Sequence, residues 1–213
     1  MNARQPRRIG MFGGAFDPPH WAHRALADAA LSQLHLDVLH ILPTGQAWHK
    51  SRVLSPPADR VAMCHAAFGD LTRARIDTRE IEREGPSYTA DTLCELSSEY
   101  PGAQLYLVLG ADQLLAFKSW SRWEEVLRYA TLAVANRPIH LAAEADPAAV
   151  VETSLDHVDI PFERLQMPLH PTSSTAIRAH VHGQSRRHPD LDVLVPEGVA
   201  RYISQHHLYE TPT

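Results

Sequence analysis

Apolar runs typical of buried strands alternate along this chain with segments whose apolar positions recur at helical spacing. This alternation predicts an α/β fold in which a mostly parallel sheet is covered by helices on both faces. In such sheets ligands bind beyond the carboxyl ends of the strands, so we expect the chemistry in the loops that follow them. The predicted strands are Arg8–Phe12, Asp37–Leu42, Ala74–Ile81, Gln104–Leu109 and Thr131–Ala135, and the predicted helices are Trp21–Leu34, Ala58–Phe68, Tyr88–Tyr100 and Trp123–Tyr129.

The last third of the chain has a less regular pattern. VDIPFERLQMP, residues 158–168, predicts a further strand, and AAEADPAAV, residues 142–150, a short helix. Two more helices are predicted over Ser174–His182 and Gly198–His206, the second preceded by Pro196. Because there is no internal repeat, low-complexity tract or composition shift, residues 1–213 are predicted to form one domain.

Composition and charge narrow the class of function. The 213 residues are 44% hydrophobic and 21% charged, which is typical of soluble globular proteins. The formal net charge of -5 argues against nucleic-acid binding through bulk electrostatics. No apolar stretch is long enough to span a bilayer, and the basic start MNARQPRRIG lacks the apolar core of a signal peptide. A cytoplasmic protein is therefore predicted, and a homodimer is left open.

Cysteine and histidine spacing gives no sign of a metal held by the chain. Cys64 and Cys94 fall in different predicted helices, as expected of reduced cytosolic thiols. The 14 histidines raise the question of a metal, but HExxH and paired CxxC patterns are absent. No protein-ligated metal site is predicted.

IGMFGGAFDPPHWAH, residues 9–23, joins the first predicted strand to the first predicted helix. The strand is predicted to end at Phe12, after which Gly13 and Gly14 let the backbone turn and approach a ligand. The stretch fits neither the GxGxxG fingerprint nor a Walker A loop. His20 and His23, spaced i, i+3, lie on one face of the first helical turn, where amides and the helix dipole favour a phosphate. An ordinary strand-to-helix turn with incidental histidines is the alternative.

PTSSTAIRAH, residues 171–180, predicts a second helix start suited to phosphate. The Ser/Thr run after Pro171 is a good N-cap, and Ser174 and Arg178 share one helix face. Arginine suits a polyphosphate because its guanidinium binds oxygens in a bidentate manner. Alone, the segment is more simply explained as an ordinary capped helix, but together with the first stretch it favours a clamp around a polyphosphate.

Both stretches resemble the nucleotidyltransferases that carry an HxGH motif. GGAFDPPHWAH matches the GGxFDPxHxGH signature, with Ala22 in place of glycine, and TSSTAIR matches ISSTxIR, with Thr172 in place of isoleucine. VLVPEGVARYISQHHLY, residues 193–209, looks like the C-terminal helix of the same family. The resemblance implies a Rossmann-like fold and adenylyl transfer from ATP, with His20, His23 and Arg178 as catalytic residues. It also implies that ATP is bound by Gly13, Gly14, Phe16, His20, His23, Ser174, Thr175 and Arg178.

Three further segments resemble the branch of this family that acts on nicotinate mononucleotide. GPSYTADTL, residues 85–93, is similar to SYTxxTL. Ser87 or Thr89 is predicted to cap the helix, and the amides of Tyr88 and Thr89 are predicted to face a carboxylate.

GADQLLAFKSW, residues 110–120, is similar to GxDxLxxFxxW. The resemblance implies ribose binding by Asp112 and pyridine stacking by Trp120, although a tryptophan here also fits the core. PTGQAWHK, residues 43–50, resembles a PPHK segment, with Trp48 in place of proline, and implies that Lys50 binds phosphate.

The resemblance as a whole implies a nicotinate-mononucleotide adenylyltransferase of NAD biosynthesis. Its substrates would be ATP and nicotinate mononucleotide, and Mg²⁺ is expected to bind through the ATP phosphates rather than to the chain. Two alternatives stay open, namely a preference for nicotinamide mononucleotide and a non-catalytic nucleotide sensor. Phosphopantetheine adenylyltransferase shares the first motif, but it has a shorter chain and no counterpart of SYTADTL and FKSW.

Overall fold

The computed structural model describes residues 6–45, 53–135, 155, 157–168, 170–182 and 190–210. Within these residues, six strands form one sheet in the order β3-β2-β1-β4-β5-β6, and all neighbouring strands are parallel. The α/β sheet predicted from the alternating pattern is thereby confirmed. The strands are β1 (Arg8–Gly14), β2 (Val38–Pro43), β3 (Ala74–Ile76), β4 (Gln104–Gly110), β5 (Ala130–Ala135) and β6 (Phe162–Leu165).

Helices cover both faces of the sheet, as predicted. One face packs against α1, α2, α7, α8 and α9, and the other against α4, α5 and α6, so two apolar clusters enclose the strands. No helix among the described residues is both long and apolar enough to cross a membrane. The helices are α1 (Trp21–Gln33), α2 (Pro57–Phe68), α3 (Arg79–Glu82), α4 (Thr89–Glu99), α5 (Ala111–Leu115), α6 (Trp123–Tyr129), α7 (Ser174–His182), α8 (Leu191–Leu194) and α9 (Glu197–Gln205), with a 3₁₀ turn at Phe117–Ser119.

The predicted strand Ala74–Ile81 is wrong beyond Ile76, where the chain turns into α3. Asp77 causes this turn, because its carboxylate accepts a hydrogen bond of 3.1 Å from the amide of Arg79 and so competes with the strand ladder. The guanidinium of Arg79 and the Nδ1 atom of His40 each lie 2.7 Å from the same carboxylate. Burial alone would raise the pKa of Asp77, but these hydrogen bonds lower it overall, so the anchor is ionised at neutral pH.

The other predicted elements inside the described residues are confirmed, with ends that shift by one or two residues. The strand predicted within residues 158–168 is β6, and the helix from Ser174 to His182 has the predicted ends. Four short elements of the described residues were not predicted, namely α3, α5, α8 and the 3₁₀ turn at Phe117–Ser119. The helix predicted over residues 142–150 lies outside the described residues.

The topology places the loops of interest at one edge of the sheet. From β1 the chain moves outward to β2 and β3, then returns to β4 on the other side of β1. This reversal of strand order leaves a crevice outside the carboxyl ends of β1 and β4, the usual ligand site in open α/β sheets. The crossover helix α4 begins at the same edge, because β3 ends there, and α7 begins there after β6.

Candidate active site

The turn after β1 differs from the prediction in where the backbone reverses. β1 continues through Gly13 and Gly14, which pair with Leu42 and Pro43 of β2, so the strand does not end at Phe12. The left-handed residue is instead Phe16, with φ 45°. Its ring is fully buried and makes edge contacts with neighbouring aromatic rings, which hold this unfavourable backbone conformation in place.

The two glycines have different reasons to lack a side chain. A Cβ atom on Gly14 would lie 3.1–3.3 Å from the ring of Phe16, so close packing within the turn disfavours a side chain there. A Cβ atom on Gly13 would meet no protein atom within 4 Å. Open space at Gly13, on the exposed carboxyl end of β1, lets a ligand approach the backbone closely.

The two histidines of the turn are brought together as their spacing predicted. His20 is the N-cap of α1 and His23 is its third residue, and their rings stack with centroids 3.7 Å apart. His20 is 1% exposed, whereas His23 is half-buried. The Nδ1 atom of His23 accepts a hydrogen bond of 3.3 Å from the His20 amide, which places the proton of the neutral ring on Nε2.

The start of α7 docks directly on this turn. Ser173 caps the helix, because its Oγ accepts a hydrogen bond of 3.1 Å from the Ala176 amide, as the Ser/Thr run predicted. The next side chains bind the turn: Ser174 Oγ donates to the Pro18 carbonyl at 2.9 Å, and Arg178 Nη1 donates to the Asp17 carbonyl at 2.7 Å. The two motifs, far apart in sequence, thus meet at the Asp17–Pro18 peptide, which is cis.

Thr175 lies on α7 and Ala22 on α1, in the two segments that carry the motifs. The Thr175 hydroxyl is exposed and accepts a hydrogen bond of 3.1 Å from Arg178 Nη2, so hydroxyl and guanidinium lie side by side on α7. Ala22, which stands where the family has glycine, is buried in the first turn of α1. Its methyl group therefore packs inside the protein.

Arg60 is a residue of the site that the sequence analysis missed. Its side chain is 1% exposed, and it donates to the carbonyl of Ala15 in the turn, of Thr44 after β2, and of Ser55 before α2, at 2.8–3.1 Å. One buried cation thus holds three loop segments together. A signal was present in the sequence, because Arg60 lies on the same helical face as the buried residues Met63, Cys64 and Ala67.

The start of α4 corrects one prediction about its cap. Ser87 does not cap the helix, since its hydroxyl donates to the Glu80 carbonyl at 3.0 Å, and Thr89 is the first helical residue rather than the cap. The N-cap is Tyr88, and no side chain in the described part of the chain caps this first turn. The Asp91 amide donates to the Tyr88 carbonyl at 3.0 Å, so the amides before it, including those of Tyr88 and Thr89, are left for water or a ligand.

A charge pair lies beside this helix start. Asp91, in the first turn of α4, is paired with Arg122 of the segment before α6 at 2.5 Å. Arg122 is exposed and left-handed, with φ 59°, and it also holds Glu125. The guanidinium offsets the negative charge of Asp91, which would otherwise oppose an anionic ligand at the uncapped amides.

The segment after β4 carries two of the predicted substrate residues. Asp112 is the second residue of α5, directly after β4, and it is exposed at the edge of the sheet where β1 also ends. It accepts a hydrogen bond of 3.1 Å from the side chain of Gln113. Trp120 is half-buried, with its ring centroid 5.4 Å from that of Phe117. One part of the side chain therefore packs on the core and another part is exposed to solvent.

Lys50 and the neighbouring residues Trp48 and His49 lie outside the described residues. The start of their loop is described: a Cβ atom on Gly45 would come within 2.0 Å of the Glu80 carbonyl oxygen. The loop after β2 therefore runs directly against the segment that leads into α4.

The described residues contain no group of three or more His, Cys, Asp or Glu side chains that could hold a metal ion. Cys64 and Cys94 are free thiols, the first buried with its pKa raised by burial. The site described above is built from backbone amides, two imidazoles, hydroxyl groups, the carboxylate of Asp112 and the guanidinium groups of Arg60, Arg122 and Arg178.

Comparisons with known proteins show which proteins this chain is similar to. The family model described as "Cytidylyltransferase-like" matches residues 11–180. A protein of Albidiferax ferrireducens named "Probable nicotinate-nucleotide adenylyltransferase" is 47% identical over 96% of this chain and 99% of its own. A Neisseria meningitidis serogroup B protein of the same name is 34% identical, again over 96% of this chain and 99% of its own.

Solved structures show the same fold. Plasmodium falciparum nicotinic acid mononucleotide adenylyltransferase, complexed with NaAD, superposes with a TM-score of 0.70 at 16% identity, over 95% of this chain and 97% of that chain. A "Putative Nicotinate-nucleotide Adenylyltransferase" from Vibrio parahaemolyticus superposes with a TM-score of 0.63 at 18% identity, over 95% of each chain. At these identities the likeness concerns the fold.

Proposed function

The chain belongs to the cytidylyltransferase-like family, among its nicotinate-nucleotide adenylyltransferases, and we propose that it transfers the adenylyl group of ATP to nicotinate mononucleotide. The products are nicotinate adenine dinucleotide and pyrophosphate, a step of NAD biosynthesis. The observation that carries this proposal is the docking of α7 on the turn after β1, through Ser174 on Pro18 and Arg178 on Asp17. Two helix starts, each suited to an anion, thereby face one polyphosphate.

His20 and His23 are proposed to bind the α-phosphate and its neighbour. Their stacked rings stand on the first turn of α1, where amides and the helix dipole already favour negative charge. The protonated Nε2 of His23 can donate to a phosphate oxygen as negative charge builds there. Gly13 and Phe16 complete the ATP side, since the first leaves open space at the backbone and the second fixes the turn.

Arg178 is proposed to hold the β- and γ-phosphates, which leave as pyrophosphate. The Thr175 hydroxyl lies beside its guanidinium and is proposed to bind the same group. Ser174 donates its hydrogen to Pro18, so its contribution is to fix the start of α7 against the turn. Mg²⁺ would enter with ATP, held by the phosphate oxygens.

The reaction requires no nucleophile from the chain. An oxygen of the mononucleotide phosphate forms a bond to the α-phosphorus while the bond to the bridging oxygen of the β-phosphate breaks. The site then acts by positioning the two substrates and by stabilising charge at the reacting phosphorus.

The start of α4 is proposed to select nicotinate. The amides of Tyr88 and Thr89 are the candidate donors to its carboxylate, because no described side chain caps them and Arg122 offsets the charge of Asp91.

Three further residues are proposed to bind the mononucleotide. Trp120 would stack on the pyridine ring, Asp112 would accept hydrogen bonds from the ribose, and Lys50 would bind phosphate. The residues proposed for ATP and those proposed for the mononucleotide lie at the edge of the same sheet, which supports a single domain. A cytoplasmic location is proposed as well, because both substrates are small diffusing nucleotides.

Pyrophosphate release from ATP, measured in parallel with nicotinate mononucleotide and nicotinamide mononucleotide, tests this function. We expect turnover with nicotinate mononucleotide and a kcat/KM higher by about 2- to 30-fold than with nicotinamide mononucleotide, since the helix dipole favours a charged carboxylate by ~0.3–2 kcal/mol. Equal or reversed preference would contradict the role of Tyr88 and Thr89. If the chain binds nucleotides but releases no pyrophosphate from ATP with either mononucleotide, it is a nucleotide sensor instead.

A further inference from the structure

The chain after α9 folds back on itself. Residues 206–210 reverse direction through two left-handed residues, His207 with φ 52° and Tyr209 with φ 67°, and the Leu208 amide donates to the Ile203 carbonyl at 3.1 Å. Left-handed backbone is unfavourable for residues other than glycine and persists where surrounding contacts fix it. The reversal directs Tyr209 to the turn after β1.

Tyr209 contacts that turn through its hydroxyl group. The hydroxyl donates to Oδ1 of Asp17 at 2.6 Å, and the sulfur of Met63 lies 3.9 Å away. Burial and the charge of Asp17 raise the pKa of Tyr209, so the hydroxyl keeps its proton at neutral pH. A hydrogen bond to a buried carboxylate is stronger than one between neutral groups.

Asp17 connects several parts of the site. It is 1% exposed, its Oδ2 accepts a hydrogen bond of 3.2 Å from the Ser55 amide, and its backbone carbonyl accepts the hydrogen bond from Arg178. The next carbonyl along the chain, that of Pro18, accepts the hydroxyl of Ser174. The position of Asp17 therefore determines where α7 and its guanidinium meet the turn.

We propose that Tyr209 is a positioning residue for ATP: its hydroxyl fixes the Asp17 carboxylate, and Asp17 fixes Arg178 through its own carbonyl. The inference rests on the proposed function, because Arg178 is assigned there to the ATP phosphates. Tyr209 itself touches no substrate. Loss of its hydroxyl lets Asp17 rotate and shifts the guanidinium, and small displacements of positioned groups are costly for binding and catalysis.

The test compares Tyr209→Phe with Tyr202→Phe as a matched control. The hydroxyl of Tyr202, on α9, donates a hydrogen bond of 2.8 Å to Asp59 of α2. The control therefore removes the same oxygen atom from another C-terminal tyrosine that is bonded to an aspartate. For Tyr209→Phe we expect the Kd for ATP by titration calorimetry and the KM for ATP to rise about tenfold, a change of about 1.4 kcal/mol. The binding stoichiometry and the KM for nicotinate mononucleotide should stay unchanged, and Tyr202→Phe should match the wild type.

A merely structural role would give a different result. Equal changes in both tyrosine variants, or a loss of stoichiometry at unchanged Kd, would overturn the inference. In an Asp17→Ala background the effect of Tyr209→Phe on the Kd should shrink below about threefold, because the carboxylate that accepts the hydrogen bond is already absent. A full tenfold effect in that background would contradict action through Asp17.

The binding measurement also separates this inference from the proposed function. A wild-type chain that binds ATP but forms no dinucleotide would contradict the proposed function, while the Kd values still decide the role of Tyr209. A wild-type chain that binds no ATP would overturn both.

Discussion

Replacement of His23 by alanine should lower kcat by about 10²–10³-fold, the usual cost of removing one preorganised donor from a site of developing charge. Several contacts position His23: the His20 amide donates to its Nδ1, the ring of His20 stacks on it, and the ring of Phe16 makes an edge contact at 5.2 Å between centroids. These contacts fix the orientation of the imidazole ring beside the turn. Alanine removes the donor but leaves the helix start in place.

His65→Ala is the matched control for this prediction. His65 is an exposed histidine in the last turn of α2, and its replacement should leave kcat within about twofold of the wild type. Loss of the bond between His20 and His23 should also lower the stability of α1 by ~0.5–2 kcal/mol, which thermal melting would measure separately. A folded His23→Ala enzyme with kcat within about threefold of the wild type would contradict the assigned role.

Replacement of Arg178 by alanine should lower kcat/KM for ATP by about 10²–10³-fold, because pyrophosphate would then leave without its guanidinium partner. Arg178→Lys should fall between alanine and the wild type. Lysine keeps the charge but not the planar fork with which Arg178 binds the Asp17 carbonyl and the Thr175 hydroxyl at the same time. Steady-state kinetics with ATP as the varied substrate measure both variants.

Arg201→Ala serves as the control for the arginine variants. Arg201 is an exposed residue of α9 that pairs with Glu197 one turn earlier, so its loss should change neither kinetics nor stability appreciably. An Arg178→Lys enzyme with wild-type kcat/KM would show that charge alone is sufficient. An Arg178→Ala enzyme within about threefold of the wild type would remove Arg178 from the catalytic assignment.

Elements dominated by local periodicity could be predicted from the sequence. The central strands are buried on both faces and stand out as apolar runs, and α7 begins after a Ser/Thr cap, so its ends were predicted correctly. The i, i+3 spacing of His20 and His23 likewise predicts their common face, because α1 begins at Trp21 as its apolar pattern indicates.

Interactions between distant segments could not be predicted in this way. The turn was assigned to Gly13 and Gly14, whereas the structure reverses at Phe16, whose buried ring compensates for its backbone conformation. The spacing predicts Ser87 or Thr89 as the cap of α4, whereas the Ser87 hydroxyl donates to the Glu80 carbonyl of α3.

Two residues of the site were missed for related reasons. Tyr209 reaches Asp17 only after the reversal at the end of α9, a path that no local pattern indicates. The sequence does contain a signal for Arg60, because a charged residue on an otherwise apolar helix face implies buried hydrogen-bond partners. It does not indicate that one of these partners is the Ala15 carbonyl of the active-site turn.

The paired starts of α1 and α7 are proposed to transfer the adenylyl group in one in-line step, without attaching it to the chain. The configuration at the α-phosphorus tests this most directly, with a single diastereomer of ATP that carries sulfur on that phosphorus as substrate alongside nicotinate mononucleotide. Direct transfer predicts a dinucleotide with inverted configuration, because each in-line displacement inverts the phosphorus once. Retained configuration would require two displacements and a nucleophile from the protein, and would contradict a site that acts through positioning and charge alone.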